Sequence, residues 1–163
     1  MEDLNQVLRN RREKLAALKQ MGIEPFAYRF DFSHRAGEAV SAFAAAEGGG
    51  RLDGAGHGPS VRVAGRIVAW RSHGKSAFAH LEDVSGRIQL YFKKDLLGEE
   101  SFAALDLLDL GDWLGVDGPL FRTRTGEVTV HVASWTLLSK SLRPLPFGQV
   151  DVDPETGEQR THP

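Results

Sequence analysis

At Val61 the hydrophobic period of this chain changes to two, so the chain beyond that point must be built mainly from strands. Val61, Val63, Gly65, Ile67 and Ala69 alternate with Arg62, Ala64, Arg66, Val68 and Trp70. Successive side chains of a strand leave opposite faces, so one set turns to a core and the other away from it. Gly65 marks a bend or bulge in this first strand. Residues 76–81 and 86–92 form two more strands around the turn Asp83-Val84-Ser85-Gly86. Residues 96–108 have a helical pattern. Residues 112–121 and 127–138 are strands joined by the hairpin turn Thr123-Arg124-Thr125-Gly126. Three strands, one helix and two strands is the order of a five-stranded Greek-key barrel of the OB type. A bent, glycine-bearing first strand helps so small a sheet to close. The expected fold is therefore mainly β: an OB-fold Greek-key barrel with an amino-terminal helical extension and one helix between strands three and four.

The extension occupies residues 1–60. Leu4, Val7, Leu8, Leu15 and Leu18 recur at helical spacing over residues 4–21, and Gly22 follows as a stop. Arg9, Arg11, Arg12, Lys14 and Lys19 give that helix a basic side, suited either to RNA phosphates or to plain solvation. Residues 23–34 hold Pro25, Phe26, Tyr28, Phe30 and Phe32 and read as an extended segment packed onto something. Residues 38–47 are alanine-rich and form a short helix. Residues 48–60 carry six glycines and a proline and read as a flexible loop. The barrel occupies 61–146. Beyond it, 147–163 is acidic and reads as a linker toward a catalytic domain that the chain lacks.

Composition excludes several classes. Cysteine is absent, so disulfides and thiolate metal sites are excluded. The six histidines are scattered, with no pair at close ligand spacing, and no metal site is expected. No apolar run is long enough to span a membrane. The acidic start, Met1-Glu2-Asp3, does not read as a signal peptide, and a cytoplasmic location is expected. The net charge of −2 hides an uneven distribution. Residues 61–94 hold seven lysines and arginines against two acids, whereas residues 95–121 hold seven acids and no lysine or arginine. One compact basic face can neutralise a few phosphates while the rest stays acidic.

Strand parity sorts the barrel residues. Ala77, Ala79 and Leu81 face inward, leaving Phe78, His80 and Glu82 outward. Ile88, Leu90 and Phe92 face inward, leaving Arg87, Gln89 and Tyr91 outward. Val128, Val130 and Val132 face inward, leaving Glu127, Thr129 and His131 outward. An outward Phe78 needs a reason. Either it stacks on an unpaired base, or it packs under the 48–60 loop or the amino-terminal extension. A ring for stacking, an amide for a base edge and cations for phosphates are what single-stranded RNA recognition uses.

Three runs carry a resemblance. VAGRIVAWRSHGKSAFAHLEDVSGRIQLYFKKD at 63–95 and RTRTGEVTVHVASWTLLSKSLRPLP at 122–146 resemble the anticodon-binding barrel of class II lysyl-tRNA synthetases. RREKLAALKQMGIEPFAYRFDFSH at 11–34 resembles the segment that opens those enzymes. GKSAF, GRIQLY and LLSKSLRPLP together point to the lysyl branch rather than its aspartyl and asparaginyl relatives. The resemblance implies a recognition module for the U-rich anticodon of lysine tRNA. It implies that Phe78 stacks on the central uridine, Gln89 reads its edge, Arg71 assists and Glu127 makes a further anticodon contact. Strict alternation turns Arg71 inward with Ala69, so a strand end or a bulge near Trp70 has to turn it out. Arg66, His73, Lys75, Arg87 and His131 are candidates for contacts to RNA backbone or loop. The family joins lysine to its tRNA with ATP and Mg²⁺ in a separate carboxy-terminal domain and is usually dimeric. The class II catalytic motifs are absent here, so the chain itself carries no cofactor and no catalytic residue. The 48–60 and 147–163 stretches depart from the family pattern. Two other readings stay open: a stand-alone single-stranded nucleic-acid binder, and a dimerisation module that binds no RNA.

Overall fold

A computed structural model describes residues 4–23, 30–142, 150–152 and 159–161. Helix α1 (Leu4–Gln20) ends where Gly22 adopts a φ of 77°. Helix α2 (Ala36–Gly48) begins two residues before the expected 38. Strands β1 (Ser60–His73), β2 (Ser76–Asp83) and β3 (Gly86–Lys93) come after it. The expected helix at 96–108 is three short pieces: α3 (Lys94–Leu97), α4 (Glu99–Ala104) and a 3₁₀ turn at Leu105–Leu107. Gly98, at a φ of 88°, breaks it. Strand β4 (Trp113–Arg122) comes next. The expected last strand is divided into β5 (Val128–His131) and β6 (Ser134–Ser139). A hairpin of β7 (Val150–Val152) and β8 (Gln159–Thr161) lies in the acidic tail and forms its own two-stranded sheet. The acidic start at 1–3, Pro25, Phe26 and Tyr28, the end of the LRPLP run and the remainder of the 147–163 tail lie outside the described residues.

The main sheet runs β1-β2-β3-β5-β4-β6, and β1 also pairs with β4, which closes the ring. Among the described residues, only β3 and β5 pair in parallel. Closure leaves no long unpaired edge among the five ring strands. Two glycines make it possible. Residues 60–66 of β1 pair with β4 and residues 66–73 pair with β2, so the strand changes partners beside Gly65. A Cβ there would lie 2.8 Å from the Glu82 carbonyl oxygen. At Gly118 a Cβ would overlap the His131 carbonyl oxygen, at the corner where β4 passes from β5 to β6. Both sites need the close backbone approach that only glycine permits. The bulge itself is not at Gly65. It falls between Ile67 and Ala69, where Val68 is the extra residue.

The inward sets of all three parity readings are buried, from Ala77, Ala79 and Leu81 through Val128, Val130 and Val132. Helix α2 adds Ala39 and Phe43, and α1 adds Leu18. Each fully buried large side chain contributes roughly 1.5–3 kcal/mol. The basic side of α1 turns partly to the protein, while Arg9, Arg12 and Lys19 stay exposed. Lys14 bonds Asp109 at 2.6 Å, and Arg11 bonds the Ser141 carbonyl at 3.1 Å. Phe30, from the expected extended segment, lies on Gly115 and under the Arg62 guanidinium, 4.7 Å from its ring centre.

Asp83 ties α2 to the β2–β3 turn. Its carboxylate accepts from the Ala36 N–H at 2.8 Å and from the Ser85 N–H and hydroxyl at 2.7 and 2.6 Å. Burial raises its pKa, but these bonds together hold it below the ordinary 3.8. The stability it contributes is therefore present above pH 3.8 and is lost as pH falls through the lower folded value. Thermal melts across that acid range are expected to lose stability in the unaltered chain, and Asp83→Asn to flatten that part of the curve.

Candidate nucleic-acid interface

The bulge at 67–69 reverses the parity of the end of β1, with two consequences. Trp70 turns inward, its ring 5.3 Å from that of Phe92. Arg71 turns outward and pairs across the strand with Phe78. Its guanidinium sits 5.5 Å from the centre of the Phe78 ring, within cation–π range. Simple alternation therefore misplaces Arg71, and the bulge lies just before Trp70.

Phe78 is half-buried on the outward face. Its cross-strand partner is Tyr91, with ring centres 4.9 Å apart and planes 34° off parallel. Beyond Tyr91 come Phe121 at 6.0 Å and His131 at 5.3 Å. Arg71, Phe78, Tyr91, Phe121, Thr123, Arg124 and Thr125 line an open depression of about 410 Å³. Its rim thus carries two guanidinium groups and two hydroxyls over a floor of rings. Tyr91 was legible as outward by parity. Phe121 closes a strand and Arg124 stands in the hairpin turn before Gly126, and nothing in the sequence singles either of them out.

Gln89 is on the same wall, in a cross-strand row between His80 and Thr129. It is not open, as the outward reading expected: it is only 4% exposed. Strand β3 lies between β2 and β5, and a bond from His80 to Glu127 spans it on the outward side at 2.6 Å. Thr129, also read as outward, is 0% exposed. The Gln89 amide has no protein hydrogen bond among the described residues. Glu127, 44% exposed at its side chain, is held through one oxygen by His80.

The remaining candidates divide. His73 and Lys75 are exposed at the β1–β2 turn, on the rim beyond Arg71 and Phe78. Arg87 is 63% exposed at its side chain but pairs with Glu82 at 2.7 Å, so its charge is balanced within the protein. Arg66 lies over Trp113 at 5.3 Å and does not line the depression. His131 is wedged among Tyr91, Phe121 and His57, and its Nε2 is sealed from solvent without a partner. Burial lowers its pKa below 6.5, and the nearby His57 and Lys93 lower it further. It stiffens the wall rather than offering a free cation. The 48–60 loop is docked, not free. The Gly58 N–H donates to the Leu120 carbonyl, and His57 rests 6.1 Å from Phe121. That loop leaves Phe78 uncovered, packing on the far end of the ring cluster instead.

No group of three or more His, Asp or Glu that could hold a metal occurs among the described residues. No described helix is long and apolar enough to cross a membrane.

Residues 61–138 match the model of the OB-fold nucleic acid binding domain of the tRNA anticodon type. Over 93% of its length the chain is 41% identical to a lysine–tRNA ligase of Carboxydothermus hydrogenoformans, of which it covers 30%. It is 45% identical to that of Syntrophomonas wolfei over 88% of the chain and 27% of the relative. With the Enterococcus faecalis ligase it shares 43% identity over 90% of the chain and 29% of the relative. The chain therefore spans less than a third of the length of these curated relatives.

Proposed function

The chain belongs with the lysine–tRNA ligases as their amino-terminal, OB-fold anticodon-binding region, and from that premise we propose that its outward face holds the anticodon loop of a lysine tRNA. Phe78 supplies the ring on which the central base stacks. Gln89 reads the edge of that base, having both a donor and an acceptor to offer. Arg71 stands over the ring and holds the adjoining phosphate, and Arg124, His73 and Lys75 border the path of the strand. The observation that carries this reading is the meeting of Arg71 and Phe78, 5.5 Å apart at one end of a ring-floored depression. Glu127 adds a carboxylate acceptor beside Gln89.

The whole protein, on this reading, is a cytoplasmic, dimeric ligase that attaches lysine to its tRNA. ATP and Mg²⁺ would act in a catalytic part separate from this face, and no step here runs through them.

Titration with a lysine anticodon stem-loop, and with the same loop carrying C for the central U, tests the proposal. The expected result is tighter binding of the U loop by roughly tenfold, the size of one well-made hydrogen bond. Equal binding of both loops with a steep salt dependence would mean contact to the backbone alone and would overturn the anticodon reading.

A further inference from the structure

We propose that His80 is a positioning residue of the RNA face: by donating a hydrogen bond it holds the Glu127 carboxylate across β3 beside Gln89 and draws on part of its electron density, so that the free oxygen accepts from a base N–H with less repulsion of the phosphates. This rests on the anticodon-loop reading and adds to that site a residue that strand parity placed outward but gave no role.

Three observations carry it. First, the His80 Nε2 to Glu127 Oε1 distance is 2.6 Å, a short charge-assisted bond. A carboxylate only accepts, so the imidazole Nε2 is the donor. Second, the bond joins strands that are not neighbours. His80 is on β2 and Glu127 just precedes β5, with β3 between them. The pair therefore bridges the outward side of β3, where Gln89 stands opposite both His80 and Thr129. Third, only one carboxylate oxygen is engaged. The other has no protein partner among the described residues, and the side chain is 44% exposed. An acceptor is thus presented beside the amide, on a face where Glu82 and Arg87 pair with each other at 2.7 Å and Arg124 stands in the turn just before it. An uncompensated carboxylate on this face would oppose an incoming polyanion. The ligand feature this pair fits is a base whose edge presents an N–H, as uracil does.

Charge suppression in the 163-residue chain separates this role from a merely structural one. Binding of the lysine anticodon stem-loop is measured for the unaltered chain, Phe78→Ala, His80→Leu, His80→Gln, Glu127→Gln and the double variant His80→Leu/Glu127→Gln. His80→Leu is expected to weaken binding by about tenfold, since it strips a charged acceptor of its donor. Removing the stranded charge in the double variant is expected to restore most of that loss. His80→Gln, which can still donate to Glu127, is expected to recover it too. Thermal melts check that each variant folds. If His80→Leu binds like the unaltered chain, or if the double variant binds no better than His80→Leu, the proposal is overturned. Should His80→Leu fail to fold, His80→Gln against Glu127→Gln decides. The proposal then requires the first to bind like the unaltered chain and the second, whose amide oxygen is a weaker acceptor, to bind a few-fold more weakly, and it falls if either behaves otherwise. If the unaltered chain and Phe78→Ala bind the loop equally, the reading of the whole face fails and this one fails with it. If Phe78→Ala loses binding while His80→Leu does not, only the role of His80 is refuted.

Discussion

Phe78→Ala is expected to weaken binding of the lysine anticodon stem-loop by roughly 1–3 kcal/mol, about fivefold to 150-fold, with the barrel still folded. The ring is half-buried and points away from the core, which is filled from the other side of β2 by Ala77, Ala79 and Leu81. Its loss therefore opens no cavity in the interior. What it removes is the platform on which a base stacks and the surface over which the Arg71 guanidinium lies. Tyr91 remains at the next position across the strand and keeps part of the depression apolar, so residual binding is expected rather than none. Fluorescence anisotropy with a labelled loop reads the affinity, and a thermal melt of the same sample checks the fold. Unchanged affinity in a folded variant would exclude stacking on this ring.

The largest stability change is expected from Lys140→Met, a loss of about 3–5 kcal/mol, because it leaves a buried carboxylate without its cation. The Lys140 side chain is 0% exposed, and its Nζ reaches Asp112 at 2.6 Å and Asp109 at 2.7 Å. Asp112 is itself 0% exposed and also accepts from the Asp109 and Ser141 N–H groups. Lys14 of α1 closes the network on Asp109. Burial outweighs the Lys140 bond at Asp112 and raises its pKa above 3.8. At Asp109 burial is outweighed in turn by Lys14 and Lys140, and the pKa is lowered. The two carboxylates thus act in opposite senses on acidification. Asp109 contributes stability above pH 3.8 that is lost as pH falls through its lower folded value. Asp112 favours its proton in the folded state, so its charge weighs less as pH falls through its raised value. In Lys140→Met the second effect should dominate, and the variant should gain stability relative to the unaltered chain as pH falls toward about 4. Adding Asp112→Asn should recover much of the loss at neutral pH. Denaturant melts at both pH values measure this.

Period-two patterning made the barrel legible because one face of each strand is filled by a common core. Every inward residue named for β2, β3 and β5 is buried for that reason. Parity failed where backbone geometry intervened. The bulge at 67–69 carries no glycine or proline to announce it, and it alone decides that Arg71 joins Phe78. Gln89 was assigned to the correct wall but not to its burial, because a side chain on a central strand is flanked from both sides. The helix at 96–108 has apolar spacing throughout, yet Gly98 at a positive φ divides it. Six glycines suggested a free loop at 48–60, whereas His57 and Gly58 anchor it through contacts with residues more than 60 positions away. The Asp112–Lys140 pair spans 28 positions and has no local signature. Such long-range polar partners are set by how the ring closes, not by any short motif.

The most direct test of the RNA face is a map of backbone and side-chain chemical shifts in the labelled chain as the lysine anticodon stem-loop is added. The expected changes concentrate on Arg71, Phe78, Gln89, Tyr91 and Arg124, with Trp113 and Phe32 on another part of the surface unmoved. Changes centred on Trp113 and Phe32, with Phe78 and Gln89 undisturbed, would contradict the account.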